Sequence, residues 1–215
     1  MLSDKFQHLR EHCRTHTLEE TKQLFRDSFG VEMDEVFKFD ETPIASGSIG
    51  QVYKASMDSE DYVIKVRHPG VKEMIDKDLS IIFGATQLVA KLPFCSNLEF
   101  PATVHEFKKV LYEQTNFEQE AENLRRFGKI FHKFRDQVIF PVVKDNYVSE
   151  TVLVESFIDA KPVSYYMENR HEMNWYMAKV GMHVLYRMIF YDNFVHSDCH
   201  AGNILVQVRK GKPVE

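Results

Sequence analysis

The segment His196–Asn203, which reads His-Ser-Asp-Cys-His-Ala-Gly-Asn, concentrates side chains that can do chemistry. Asp198 precedes Asn203 by five positions, so one short loop carries a proton-accepting carboxylate and an amide oxygen that can bind a metal. In the catalytic loop of kinases, the Asp of this spacing accepts the proton of the substrate hydroxyl and the Asn holds a Mg²⁺. His200 takes the position at which such loops usually carry a phosphate-contacting Lys. The segment therefore predicts a catalytic loop for phosphoryl transfer.

Two other interpretations of this segment stay open. His196, Asp198 and His200 alternate as His-x-Asp-x-His, a pattern that could ligate a transition metal. No other His or carboxylate motif in the sequence completes a ligand set. The remaining alternative is a loop with a purely structural role.

A second histidine pattern lies near the start of the chain. His8, His12 and His16 have helical spacing, which could place three imidazoles on one face as metal ligands. However, Thr17 and Glu20 form a capping box that starts a helix directly after His16, which breaks the register. Solvated or partner-facing histidines are the better interpretation.

A run of small residues joins two predicted strands at Ala45, Ser46, Gly47 and Ser48. Backbone N–H groups can approach a phosphate chain closely where side chains are this small. Protein kinases place a glycine-rich loop over the ATP phosphates in this way. A tight hairpin that binds nothing has the same composition, so the loop alone is a weak signal.

Lys65 and Glu120 are charged residues in apolar surroundings. Lys65 lies near the end of a predicted strand, between Ile64 and Val66, where it either faces solvent or is buried with a partner. The corresponding Lys of protein kinases binds the α and β phosphates of ATP. Glu120 lies in an apolar helix stripe, where a carboxylate is costly unless it is paired, although most helix glutamates are simply solvated. We therefore predict an ion pair between Lys65 and Glu120.

The elements that must position these residues follow from the hydrophobic spacing. Three short segments rich in β-branched and aromatic residues predict antiparallel strands at 37–39, 51–55 and 62–66. Two further strands are predicted at 138–141 and 151–154. Apolar residues at helical spacing predict helices over about 17–30, 71–92, 103–131 and 174–191.

The composition excludes several classes of protein. The 215 residues are 44% hydrophobic and 27% charged, which is ordinary for a folded protein of one large domain or two lobes. The net charge of −5 comes without a basic block, which argues against a nucleic-acid surface. Cys13, Cys95 and Cys199 are an odd number and lie far apart, which fits a reducing compartment. No secretory signal or membrane span is visible, and a peripheral membrane contact stays open.

With these motifs in order, the chain resembles the AarF/UbiB family of atypical, protein-kinase-like proteins. The resemblance covers nearly the whole chain. The matching segments are the loop Ala45–Ala55 with its S-I-G-Q-V run, the Lys strand and H-P-G-V of Val63–Val71, the acidic helix Gln114–Asn123, and the F-x-H-x-D-x-H-x-G-N-I-L loop Phe194–Leu205.

The chain also departs from the family pattern. Asn116 stands where the family usually has an acidic residue, Gln114 where many members have Glu, and Ala201 where Pro is common. The family's K-x-G-Q segment is not present in these residues. Its Mg²⁺-binding aspartate is expected after Glu215, so we expect the chain by itself to hydrolyse ATP poorly.

The resemblance implies an α+β, protein-kinase-like bilobal fold, with a small β-rich lobe and a helical lobe that is truncated at the C-terminus. We expect an N-terminal helical segment over 1–35, the β-rich lobe with an inserted helix over 36–155, and the start of the helical lobe over 156–215. A kinase-like hinge recognises adenine with main-chain atoms. Backbone groups of Glu155 and Phe157 are therefore expected to bind the adenine edge, with Val154 in the apolar wall.

The resemblance also implies a function: an ATP- and Mg²⁺-dependent kinase or ATPase that supports coenzyme Q (ubiquinone) biosynthesis or mitochondrial lipid homeostasis. Expected partners are coenzyme Q biosynthesis proteins or isoprenoid lipid precursors, and the expected location is mitochondrial if the source is eukaryotic. The alternatives are a non-catalytic pseudokinase scaffold and an aminoglycoside- or choline-kinase-like phosphotransferase. The site residues carried over are Asp198, Lys65 and Glu120 for catalysis, Ala45, Ser46, Gly47, Ser48, Lys65, Glu155, Phe157 and His200 for the nucleotide, and Asn203 for the metal.

Overall fold

The computed structural model describes residues 15–89, 100–168, 172–196 and 199–208. They form two compact units, one from the described part of 1–127 together with 141–157, the other from 128–140 together with the described part of 158–215. This division falls after residue 157, and it groups 128–140 with the later residues. The predicted lobes, which divide after residue 155, stay a prediction. No helix in the described ranges is long and apolar enough to cross a membrane.

An antiparallel sheet forms the centre of the first unit. Its strands are β1 Lys38–Phe39, β2 Ala45–Ser46, β3 Gly50–Met57, β4 Glu60–Arg67, β5 Val143–Val148 and β6 Val152–Ser156. They are ordered β1-β3-β4-β6-β5, and β2 pairs with β3 beside β1. The three predicted strands up to residue 66 and the one predicted at 151–154 are thus confirmed.

The pairing of β3 with β4 sets the position of Lys65 relative to the small-residue loop. Asp58 and Ser59 make the turn with φ angles of 53° and 66°, the left-handed pair that a two-residue hairpin turn requires. At the other end of β3, Gly50 pairs with Arg67. A Cβ on Gly50 would overlap the carbonyl of Val66. Glycine is therefore required where the loop enters β3.

One face of the sheet is covered by the first two helices, α1 Leu18–Phe29 and α2 Met33–Val36. The predicted capping box is present: Glu20 N–H donates to Thr17 Oγ1 at 3.2 Å, and Thr17 N–H donates to Glu20 Oε2 at 2.8 Å. The helices and sheet share one buried apolar core, formed by Phe25, Met33, Phe37, Tyr53, Ala55, Tyr62, Ile64, Val66, Val152 and Val154. The described part of the N-terminal segment therefore belongs to the sheet's own core.

Three longer helices follow the hairpin: α3 Val71–Val89, α4 Phe100–Gln114 and α5 Phe117–Ile130. The prediction of one helix over 103–131 is wrong, because the chain breaks at Thr115 and Asn116. Arg67 Nη1 donates to the Thr115 carbonyl at 2.9 Å, and Asn116 Oδ1 accepts from Glu118 N–H at 2.9 Å. Asn116 thus caps α5, a role that the acidic residue usual in the family could fill equally well.

The predicted strand at 138–141 is also wrong. Val138 N–H donates to the Phe134 carbonyl at 2.9 Å, and the Phe140 ring lies 5.4 Å from that of Phe131. This segment is held by the residues that follow α5, Phe131 and Phe134, and does not join a sheet. Pro141 has no N–H for a strand ladder, and the strand begins two residues later, at Val143.

The second unit contains a short 3₁₀ turn at His132–Phe134, β7 Lys161–Pro162, α6 Val163–Glu168, α7 Asn174–Phe190 and β8 Leu205–Val206. The helix predicted over 174–191 is confirmed. The Arg187 guanidinium of α7 lies over the rings of Phe134 and Phe131, 4.9 and 5.9 Å from their centroids. β7 and β8 pair antiparallel, so the segment after the predicted catalytic loop is tied to the start of α6.

Candidate functional site

Lys65 lies on the face of β4 opposite the α1 core. Side chains alternate along a strand, so Ile64 and Val66 enter that core while Lys65 points to the other face, toward α5. Lys65 Nζ lies 2.6 Å from Glu120 Oε1. The predicted ion pair is therefore confirmed, and it joins residues 55 positions apart in the chain.

Sequence reasoning missed a second carboxylate beside Lys65. Glu155 Oε1 lies 3.0 Å from Lys65 Nζ, and the Glu155 side chain is only 5% exposed, against 37% for Glu120. Leu153 pairs with Lys65 across the strands, and Glu155 follows on the same face two residues later. The alternation of β6 could have indicated this face, but the pairing of β6 with β4 is a long-range contact that no local pattern reveals.

The surroundings of this cluster shift the pKa values of Lys65 and Glu155. Burial by itself lowers the pKa of Lys65, but the charges of Glu155 and Glu120 outweigh it and raise this pKa above the ordinary lysine value. Burial raises the pKa of the Glu155 carboxyl, Lys65 opposes that rise and Glu120 adds to it. One ammonium between two carboxylates leaves an excess negative charge. Glu155, the buried carboxylate, is the group whose protonation relieves it.

The small-residue loop is a tight hairpin held at its carbonyls. Gly47 N–H donates to the Gly50 carbonyl at 2.9 Å. His68 forms two hydrogen bonds to the loop. Its backbone N–H donates to the Ile49 carbonyl at 2.8 Å, and its Nε2 lies 3.0 Å from the Gly47 carbonyl oxygen. Within the described ranges, Ser48 N–H and Ile49 N–H donate to no other backbone group. These two donors suit a phosphate oxygen, and nucleotide binding by Ala45–Ser48 stays a prediction.

The segment predicted to bind adenine is buried from Val152 to Glu155, and Ser156 and Phe157 are half-buried. Val154 is fully buried in the core beneath α1, so the prediction that it lines an adenine wall is wrong. Phe157 N–H donates to the Asp61 carbonyl at 3.0 Å, and Ser156 N–H donates to the Val142 carbonyl at 2.8 Å. Adenine recognition by the backbone of Glu155 and Phe157 stays a prediction, and Phe157 N–H would have to exchange its partner to take part.

The predicted catalytic loop lies in the second unit, and its Asp198 is outside the described residues. Around it, His200 Nδ1 accepts from Gly202 N–H at 3.0 Å, and the His200 carbonyl accepts from Asn203 N–H at 2.9 Å. A Cβ on Gly202 would lie 2.8 Å from the His200 ring, so glycine keeps this turn closed. Because Nδ1 accepts, the His200 proton lies on Nε2. In this tautomer the Nε2–H group can donate a hydrogen bond to a phosphate oxygen.

The described residues contain no cluster of three His, Cys, Asp or Glu side chains that could hold a metal ion. The two metal patterns considered from the sequence each include residues outside the described ranges: His8 and His12 in one, Asp198 in the other. For Mg²⁺, Asn203 offers one amide oxygen, a ligand type that suits this ion but does not bind it alone. Its role as a metal ligand stays a prediction.

Comparison with known proteins shows the family of this chain. The family model described as the ABC1 atypical kinase-like domain matches residues 8–214. The chain is 38% identical over 210 residues to a probable serine/threonine-protein kinase, abkC, of Dictyostelium discoideum, covering 96% of this chain and 30% of that protein. It is 31% identical over 194 residues to a probable protein kinase UbiB of Vibrio cholerae, covering 87% and 35%. A Schizosaccharomyces pombe ABC1 family protein named as mitochondrial is 30% identical over 238 residues, covering 95% and 34%.

Among solved structures, Rv3197 of Mycobacterium tuberculosis in complex with erythromycin has a TM-score of 0.69 at 23% identity, covering 88% of this chain and 48% of that one. That likeness supports the α+β kinase-like fold. The chain spans about a third of the length of the curated relatives it matches.

Proposed function

The chain belongs to the ABC1 atypical kinase-like family, and from that premise we propose that it binds the phosphates of ATP with Mg²⁺ for phosphoryl transfer or ATP hydrolysis. One observation carries this proposal: Glu120 holds Lys65 by an ion pair. Lys65 lies on β4, and the small-residue loop leads into the neighbouring strand, β3. An ammonium held in place near N–H donors that bond to no other backbone group in the described ranges suits a polyphosphate chain.

The register of the hairpin supports a shared ligand for the loop and Lys65. Lys65 pairs with Val52, two residues beyond Gly50 at the end of the loop. At about 3.3 Å per residue, this separation along the strand is roughly 7 Å. A di- or triphosphate is long enough to contact both, with Ser48 and Ile49 donating N–H groups at one end and Lys65 at the other.

The role of the whole protein is also part of the proposal. We propose that it supports ubiquinone biosynthesis or mitochondrial lipid homeostasis, acting on or beside isoprenoid lipid precursors, and that it is mitochondrial if its source is eukaryotic. Support comes from the relatives named UbiB and mitochondrial ABC1 protein. The family match over 8–214 also favours this assignment over the aminoglycoside- or choline-kinase-like alternative.

Titration with ATP and Mg²⁺, followed by calorimetry, tests nucleotide binding. Lys65→Met should weaken binding at least tenfold, because it removes the ammonium that neutralises phosphate charge. Lys38→Met is the matched control, since Lys38 is an exposed strand lysine of the same sheet and should leave the affinity unchanged. Equal affinity of Lys65→Met and wild type would refute the proposal.

A pseudokinase scaffold is the second candidate, and the excess carboxylate at Lys65 favours it. Two carboxylates around one ammonium repel a triphosphate, which a scaffold could tolerate. Phosphate release in the presence of Mg²⁺ separates the two functions. Release that Asp198→Asn abolishes indicates the enzyme. Because residues 1–215 by themselves are expected to hydrolyse ATP poorly, binding without release indicates the scaffold only when a form extended beyond Glu215 shows it as well.

A further inference from the structure

A chain of hydrogen bonds links the small-residue loop to the first helix. His68 Nε2 lies 3.0 Å from the Gly47 carbonyl oxygen, and His68 Nδ1 lies 2.6 Å from His16 Nδ1. His16 Nε2 lies 2.8 Å from Thr21 Oγ1, which lies 3.0 Å from the Tyr53 hydroxyl. The two imidazole rings meet edge to face, with centroids 4.8 Å apart. We call these four side chains, with the Gly47 carbonyl, the histidine relay.

The acceptor at the loop end assigns the protons of the neutral relay. A carbonyl only accepts, so His68 must carry its proton on Nε2 and leave Nδ1 bare. His16 must then donate from Nδ1, which leaves its Nε2 as an acceptor for the Thr21 hydroxyl. Each neutral imidazole thus donates once and accepts once, and both imidazole N–H groups donate in the direction of the loop.

The far end of the relay is anchored in the core. Thr21 and Tyr53 are 0% and 1% exposed, and they belong to α1 and β3. His68 is itself 6% exposed and follows directly after β4. Both ends of the relay are therefore fixed by buried elements, and the loop carbonyl is held against them.

A shared metal ion does not explain the two histidines. Two nitrogens on one tetrahedral Zn²⁺, each bound at 2.0–2.1 Å, lie about 3.3 Å apart. His16 Nδ1 and His68 Nδ1 are 2.6 Å apart, which leaves no room for an ion between them and fits a direct hydrogen bond.

Because a peptide unit is planar, the relay sets the direction of the Ser48 N–H as well as that of the Gly47 carbonyl. The Gly47 carbonyl and the Ser48 N–H belong to one trans peptide unit, so they point in opposite directions. Fixing the carbonyl toward His68 therefore turns Ser48 N–H away from it. The backbone N–H of His68 fixes the Ile49 carbonyl in the same manner.

We propose that His68, supported by His16, is a positioning residue that orients Ser48 N–H of the loop toward a phosphoryl group of the nucleotide. This inference rests on the proposed function, because it takes a nucleotide phosphate as the ligand of the loop. The relay does not touch the ligand. It restricts the rotation of one peptide plane before the ligand binds, so less conformational entropy is lost on binding.

Amide NMR of the ligand-free 215-residue chain tests the orientation directly. His68→Leu should change the chemical shift of Ser48 N–H and speed its hydrogen exchange, whereas His68→Gln should keep both near wild type, since a Gln amide can still donate to the Gly47 carbonyl. His105→Leu, on an exposed position of α4, is the matched control. An unchanged Ser48 signal in His68→Leu would overturn the proposal.

ATP affinity is the second readout. His68→Leu should bind ATP with Mg²⁺ about tenfold more weakly than wild type, and His68→Gln within about threefold, as expected for a loss of preorganisation rather than of a contact. If His68→Leu does not fold by circular dichroism, His16→Leu removes the support of His68 while leaving the loop contact in place, and the same order of effects is expected. Wild-type affinity in a folded His68→Leu or His16→Leu variant, or a Gln variant as weak as Leu, contradicts the positioning role.

The two readouts separate failure of the inference from failure of the proposed function. If the wild-type chain binds no nucleotide, the proposed function fails, and the Ser48 amide still reports whether His68 orients the loop. If nucleotide binds normally and the Ser48 amide does not respond to His68, only the positioning role fails.

Discussion

Glu155 Oε1 lies 3.0 Å from Lys65 Nζ, and the other carboxylate oxygen of Glu155 is buried without a hydrogen-bond partner in the described part of the chain. Lys65 is therefore shared between this buried carboxylate and the more exposed Glu120. A buried carboxylate with an unsatisfied oxygen is costly. Glu155 thus opposes both the stability of the first unit and the approach of an anionic ligand to Lys65.

Glu155→Gln should stabilise the chain at neutral pH, because it removes a buried carboxylate whose charged form burial disfavours. The folded-state pKa of Glu155 is raised, so the unfolded state loses this proton at lower pH than the folded state. Wild-type stability should therefore fall as pH rises from the ordinary glutamate value through the raised one. Urea unfolding across that range measures the slope, which should be smaller in Glu155→Gln. An equal slope in both proteins would count against the assignment.

The same variant should bind ATP severalfold more tightly than wild type, because it removes one negative charge beside Lys65 and keeps the Glu120 pair. Calorimetry at one pH and ionic strength measures this. Glu118→Gln, on the exposed side of α5, is the matched control for loss of a carboxylate and should change the affinity far less. Weaker binding by Glu155→Gln would show that the carboxylate assists the site instead of opposing it.

Lys65→Met should destabilise the first unit by about 2–3 kcal/mol. Removing one partner of a buried ion pair typically costs about 3–5 kcal/mol, and the 37% exposure of Glu120 reduces the cost here. Most of the lost stability comes from leaving the buried Glu155 carboxylate without its partner. The double variant Lys65→Met/Glu155→Gln should therefore recover part of this stability. Denaturant unfolding of the single and double variants checks the coupling, and strictly additive effects would rule it out.

The pKa of His16 is lowered from 6.5 to about 4, chiefly by burial, with His68 lowering it further and Glu20 opposing the shift. Since the folded state disfavours charged His16, its contribution to stability is fully present above pH 6.5 and is lost as pH falls toward 4. His16→Asn should therefore flatten the stability profile between pH 6.5 and 4. Unfolding at several pH values measures this, with His105→Asn as control. A ring titration of His16 near 6.5 by NMR would contradict the prediction.

Gly50→Ala should destabilise the chain by about 1–3 kcal/mol, because the added Cβ overlaps the Val66 carbonyl in the neighbouring strand. Gly84→Ala is the matched control: Gly84 is exposed in α3 with nothing near its missing Cβ, and alanine there should stabilise by up to about 1 kcal/mol. Thermal unfolding of both variants tests the contrast. Equal effects would contradict a close approach of Gly50 to the Val66 carbonyl.

Features governed by neighbours in sequence could be predicted from the residues alone. The capping box at Thr17 and Glu20, the strands of the β3–β4 hairpin and the helix near 174–191 follow from side-chain spacing, capping and turn residues, which act within a few positions. The Lys65–Glu120 pair was also predictable, because each charge lies in an apolar segment that would otherwise bury it unpaired.

Other features depend on contacts that local spacing does not contain. At the helix break, the Thr115 carbonyl accepts from Arg67 of the sheet. In the apolar segment at 138–140, Phe140 packs on Phe131 and no strand forms. The hydrophobic spacing of the sequence cannot distinguish these outcomes, because a short apolar segment can be buried equally well as a strand or in other structure.

The sequence by itself determined the family, the order of its motifs and the charge pair at Lys65. Only the tertiary structure decided that Glu155 joins that pair and that His16 meets His68 beside the loop. The reason is physical: strand register and helix docking bring together residues 90 and 52 positions apart in these two contacts. Their energies arise from burial and hydrogen bonding that exist only once the sheet and the first helix have packed.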